Sequence, residues 1–256
     1  MPGSGSDLPG SRELPCVIGP AVAQLIRPRT VTNRVSSGLK FSSSRQDAMI
    51  IGVLTLPFLL NDFANIFVRD YRVWLAIDYS LVKALPLAVI LYLLRVRRIS
   101  YSDLGVQRLG FGRFISWTFT MTVLGIVLDQ VGSRFFASLL PDTRLGGMPA
   151  ITSPLVDQLD LYLGLALVAF VEEVIFRGLY FTLLSRYFPS RSVVFAISAL
   201  AFGLIHWSLG LSAIVHTSII GAVFMICIWK TGSVLPTIFA HFFVNYVAFS
   251  GVLTKL

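Results

Sequence analysis

Residues 161–184 read LYLGLALVAFVEEVIFRGLYFTLL, an apolar run with two carboxyl groups and a guanidinium at its middle, in VEEVIFRG (171–178). The apolar residues around those charges decide the fold class. Hydrophobic residues make up 55% of the 256-residue chain and charged residues 13%, and the mean hydropathy is +0.77, outside the range of an ordinary soluble domain. A soluble core of that size needs far more polar surface around it, whereas apolar segments of spanning length account for the excess directly. The expected fold is therefore an all-α polytopic membrane protein, a bundle of about seven transmembrane helices.

Working outward, seven candidate spans stand out: 48–68, 74–94, 114–128 or somewhat beyond, 159–188, 192–206, 211–229 and 234–253. The fourth is about 45 Å long if wholly helical, so it must tilt or project beyond the hydrocarbon. Pro189 marks its end. Turn chemistry at Ser208 and Gly210, and at Lys230 to Ser233, separates the last three spans.

The formal net charge is +8, and its distribution sets the topology. The connection after the second span carries Arg95, Arg97, Arg98, Arg108 and Arg113 against Asp103, and the tail carries Arg12, Arg27, Arg29, Arg34, Lys40 and Arg45 against Asp7 and Glu13. Both lie on one side if the first two spans cross, which places the N-terminus in the cytoplasm and the C-terminus outside. The excess is a topology signal and no nucleic-acid signal, because no aromatic-interleaved basic surface accompanies it. Anionic lipid head groups of the bilayer are the expected counter-charge.

Residues 1–46, rich in Ser, Gly, Pro and Arg, read as a flexible basic tail, with an organellar transit peptide as the rival. Residues 47–256 form the membrane domain. Cys16 and Cys227 are the two cysteines, so neither a disulfide framework nor a cysteine-based metal site is expected, and the C-terminal LTKL has no prenylation cysteine.

The charges at 172–177 need an offset. Each costs about 2.5–3.5 kcal/mol at a helix centre, so Glu172, Glu173 and Arg177 together cost on the order of 9 kcal/mol unpaired. Glu173 and Arg177 stand at i and i+4 and can pair, which leaves Glu172 over. His206 ends the run ISALAFGLIH, and His241 and Asn245 share a face of PTIFAHFFVNYVAF. Three helices thus offer a Glu, a His, and a His with an Asn, a set sufficient for hydrolysis. Asp78 and Lys83 can pair with each other or approach the interface and receive no functional role, and His216 is read as structural.

These residues carry a resemblance. EEVIFRG (172–178) resembles the EExxxR motif of the CPBP family of intramembrane endopeptidases, which includes the type II CAAX prenyl endopeptidases and Abi-related proteins. Phe202 to His206 resembles its FxxxH motif and His241 to Asn245 its HxxxN motif; the three occur in order, with a CPBP-like core at about 155–254. The resemblance implies peptide-bond hydrolysis in the membrane. Glu172, helped by His206, would activate a water, and His241 and Asn245 would donate to the oxyanion. Glu173, Arg177 and Phe202 would support the site. A membrane-associated or prenylated peptide is the implied substrate; the span count and the few cysteines make a bacterial inner membrane the expected location, with an endoplasmic reticulum or plastid membrane as the alternative.

Other readings stand beside this one. A Glu and Arg pair within a span serves structural and transport roles too, and His241 and Asn245 can act as interhelical glue. No cofactor is expected, with zinc held by Glu172, His206 and His241 as the alternative. A non-proteolytic membrane scaffold or immunity protein is the alternative function. Straight helices would also put His206 about 22 Å and His241 about 10 Å from the cytoplasmic ends of their spans, so a broken or tilted helix, or a displaced boundary near Gly203 or Gly210, is required to bring them together.

Overall fold

A computed structural model describes residues 44–254 of the chain. The described residues form helices and connecting loops, without a strand among them. In chain order the helices are α1 (Ser44–Phe67), α2 (Tyr71–Arg95), α3 (Phe111–Leu139), α4 (residues 154–184), α5 (Arg191–Leu204), α6 (Leu211–Thr231) and α7 (Leu235–Ser250). Of the tail expected over 1–46, Ser44, Arg45 and Gln46 open α1; the remainder, with the transit-peptide reading and Cys16, lies outside the described residues.

The protein is a polytopic helical membrane protein. Helices α1, α2, α3 and α6, of 24, 25, 29 and 21 residues, are long and apolar enough to cross a bilayer. The outer face of α3 shows why: Ile115, Phe119, Val123 and Val127 recur every fourth residue and are all exposed, a stripe suited to lipid. Helices α5 and α7, of 14 and 16 residues, reach only about 21 and 24 Å, short of a hydrocarbon core of about 30 Å. Helix α4 carries the central charges and sits in the middle of the molecule, with Val171, Val174, Ile175, Phe176 and Leu179 fully buried in the main core.

Local chemistry fixes the ends. The Asp70 side chain accepts from the Arg72 amide at 2.7 Å and caps α2, and prolines stand in the first turns of α4 and α7. Gly210, at φ 93°, lets the chain reverse between α5 and α6. Two loops tie these ends together. In the 140–153 loop, the Leu145 and Gly146 amides donate to the Ser208 carbonyl at 2.9 and 3.2 Å, and the Gly147 amide donates to the Asn65 carbonyl at 3.0 Å. In the 96–110 loop, Gly105 O accepts from the Val234 amide at 2.9 Å, and Asp103 O accepts from Thr182 Oγ1 at 2.8 Å. The helix ends therefore gather at two levels, as a chain that alternates direction requires.

Among the described residues, four helical stretches are π-helical: Tyr79–Ala84 in α2, Leu128–Gly132 in α3, and Asp160–Gly164 and Glu173–Leu179 in α4. In this wider winding the i→i+5 bond replaces i→i+4, so residues five apart come onto one face. Asp78 and Lys83 are five apart across the first of these segments and form a buried ion pair.

Candidate active site

Helix α4 delivers Glu172 as the last residue of an α-helical stretch and Glu173 as the first of the π-helical one. That change of winding lets two adjacent carboxylates address one partner. The partner is His241, in the second turn of α7: its Nδ1 lies 2.9 Å from Glu173 Oε1, and its Nε2 lies 3.7 Å from Glu172 Oε2. Beside a carboxylate acceptor Nδ1 carries the proton, so in the neutral ring Nε2 presents its lone pair toward Glu172.

Glu173 Oε1 also faces Arg177 Nη1 at 3.2 Å, and both side chains are 0% exposed. The i, i+4 pair expected from the sequence is thus present, and His241 joins it as a third member. The Arg177 guanidinium lies over the Phe202 ring, 3.7 Å from its centroid, with the Phe224 ring at 5.8 Å. Phe202 therefore covers the buried cation with a π face, a more specific contact than general packing.

Helix α5 ends at Leu204, before His206, and the chain passes into the 3₁₀ turn Trp207–Leu209. His206 Nδ1 folds back to donate to the Phe202 carbonyl at 3.0 Å, which leaves Nε2 as the acceptor nitrogen. The Phe202 ring stands between the two imidazoles, at 5.3 Å from His206 and 5.9 Å from His241. The two histidines, expected at different heights on straight helices, line one cavity, with α5 ended at Leu204 and the His206 side chain folded back onto the Phe202 carbonyl.

Glu172, His206, His241 and Asn245 all line one cavity of about 180 Å³. A second cavity of about 50 Å³ lies behind, and His206, His241 and Asn245 face it as well, with Arg177 and Asp129. The imidazole that stands beside Glu172 is that of His241; His206 meets Glu172 across the larger cavity. His216 stays apart from that cavity, with its Nε2 3.9 Å from Asp129 Oδ1. Among the described residues, no three His, Cys, Asp or Glu side chains are gathered as a metal ion requires.

Sequence reasoning missed the opposite wall of the larger cavity. Asn61, Asp62 and Asn65 of α1, Asp78 and Lys83 of α2, and Asp160 of α4 line it. Two signals were available: polar residues at i, i+1 and i+4 inside an apolar span, and a charge pair at a spacing of five, which suits a π-helix and no α-helix.

Residues 156–247 match the sequence model of the family described as type II CAAX prenyl endopeptidase Rce1-like. The matched segment contains Glu172, Glu173, Arg177, Phe202, His206, His241 and Asn245, and it bears out the resemblance carried by the three motifs. No curated protein and no solved structure matches the chain.

Proposed function

We propose that this protein is an intramembrane endopeptidase of the CAAX type that hydrolyses peptide bonds with a water activated by Glu172 and His206. The observation that carries the reading is the convergence of Glu172, His206, His241 and Asn245 on one cavity from α4, the end of α5, and α7. In the proposed reaction a water oxygen attacks the peptide carbonyl carbon while Glu172, with His206 Nε2 as the second acceptor, receives its proton. The carbonyl oxygen becomes an oxyanion that Asn245 Nδ2 can meet. His241 can meet it only from Nε2, because Nδ1 is committed to Glu173; Glu173 then serves as the counter-charge for an imidazolium, as the buried carboxylate does in a Ser-His-Asp triad. Collapse of the intermediate breaks the C–N bond, and the proton held by the site passes to the departing amine.

The proposed mechanism is metal-independent and glutamate-based, supported by the spacing of the candidate ligands: among the described residues no three His, Cys, Asp or Glu side chains are gathered as a metal ion requires. The proposed substrate is a membrane-associated or prenylated peptide, and the proposed location a bacterial inner membrane with the N-terminus in the cytoplasm.

The test is cleavage of a prenylated CAAX peptide and of unmodified membrane peptides by the purified protein, beside Glu172→Gln and with a strong chelator. The expected result is turnover that falls by about 10²–10⁴-fold in the variant and ignores the chelator. Turnover lost to chelator and restored by zinc would replace the mechanism with a zinc-dependent one. Equal turnover by Glu172→Gln removes Glu172 as the base, and a cellular phenotype unchanged in that variant favours the scaffold or immunity reading.

A further inference from the structure

The larger cavity extends past Glu172 to a wall built by α1, α2 and the start of α4. Four carboxyl groups line the cavity, those of Asp62, Asp78, Asp160 and Glu172, against the single ammonium of Lys83. Their existing partners show what the wall has left to offer. Lys83 is committed to Asp78, which also accepts from Asn61 Nδ2 at 3.2 Å. Asp62 accepts from Asn65 Nδ2 at 3.0 Å and from the Ser208 amide at 2.7 Å. Asp160 Oδ1 accepts from the Tyr79 hydroxyl at 2.9 Å. Each side-chain donor group of the wall thus already serves an acceptor within it, and the carboxyl groups lining the cavity outnumber the one ammonium four to one.

Asn61 gives the second, independent observation. It lines the cavity at 7% exposure, and its donation to Asp78 fixes which way the amide points. Its Oδ1 is then left buried without any donor. A buried acceptor in that state bears a desolvation cost that a ligand N–H would remove.

We infer that this wall is a substrate subsite for a cationic side chain, lysine or arginine, carried within a few residues of the scissile bond. This rests on the endopeptidase reading and extends it to specificity. A substrate ammonium or guanidinium supplies the donors that the wall lacks and meets its excess of carboxyl groups. A substrate carboxylate meets the opposite: it would have to take Lys83 from Asp78 and sit among the remaining acids. The subsite thus selects by attraction of one charge and rejection of the other.

The experiment separates binding from cleavage. A membrane-peptide series carries lysine, norleucine or glutamate at one flanking position at a time; norleucine keeps the stem and removes the charge. Affinity is measured on full-length Glu172→Gln protein in nanodiscs, and cleavage on the wild type. At one position lysine is expected to bind at least about tenfold more tightly than norleucine, equivalent to about 1.4 kcal/mol, with glutamate weaker than both. Asp160→Asn, which keeps its shape and its acceptor for Tyr79, is expected to bring the lysine-to-norleucine ratio toward one. Norleucine binding as tightly as lysine at every position overturns the subsite, as does a lysine preference untouched in Asp160→Asn. If that variant fails to fold, the wild-type series decides alone. Cleavage without a charge preference removes the inference and leaves the endopeptidase, whereas lysine-selective binding without any cleavage does the reverse.

Discussion

Arg177 is the residue around which the buried charges are arranged. It is fully buried, its charge is balanced by Glu173, and its guanidinium is covered by Phe202. Glu173→Ala should therefore lower stability by about 3–5 kcal/mol, because it strands a buried cation; chemical unfolding in detergent checks this, and an unchanged midpoint would contradict the ion pair. Phe202→Leu keeps the site apolar but removes the π face, and should cost about 2 kcal/mol in the same assay. At this scale much could be read beforehand. The pairing of Glu173 with Arg177 follows from spacing alone, since four residues make one helical turn. The bond from Glu173 to His241 could not, because 68 residues separate the two and only the packing of α7 on α4 joins them.

Among the elements, α4 is held in place as much by a missing side chain as by those present. A Cβ at Gly178 would collide with the carbonyl of Leu104 in the 96–110 loop, where backbone cannot easily yield. Gly178→Ala is accordingly expected to destabilise by about 1–3 kcal/mol. Gly52 in α1 has nothing within 4 Å of such a Cβ, so Gly52→Ala should be neutral or stabilise by about 0.5–1 kcal/mol. Thermal unfolding of the pair measures both, and equal shifts would discount the contact with Leu104. The positions of the seven helices were readable from apolar runs and turn residues. Their windings were not: a 3.6-residue periodicity assumes α-helix throughout, so Asp78 and Lys83 could be offered as a pair without the π-helical winding that sets them on one face. The end of α5 at Leu204 lies two residues from the expected end at His206, and the turn residues Ser208 and Gly210 signal the break that follows.

For the whole molecule, the two levels defined by the loops give the topology a direct test. The level holding the 96–110 loop and the α4–α5 turn carries Arg95, Arg97, Arg98, Arg108, Arg186 and Arg191, and the other level is balanced by Asp70 and Asp142. With the native cysteines replaced, single cysteines at Arg97 and Ser190 should react with an impermeant maleimide only from the cytoplasmic side, and those at Asp70 and Asp142 only from the other. The reverse pattern would invert the molecule. The four π-helical stretches bear on how such a protein can change over time. Each accommodates about one residue more than an α-helical path would need. Loss of a single residue between Asp78 and Lys83 would set the two four apart, the spacing of one α-helical turn, so the ladder could relax to ordinary winding with the pair still on one face. The winding of α2 is thus open to inheritance by insertion and deletion: a change of one codon in length can add or remove a π-helical turn while every remaining residue keeps its identity.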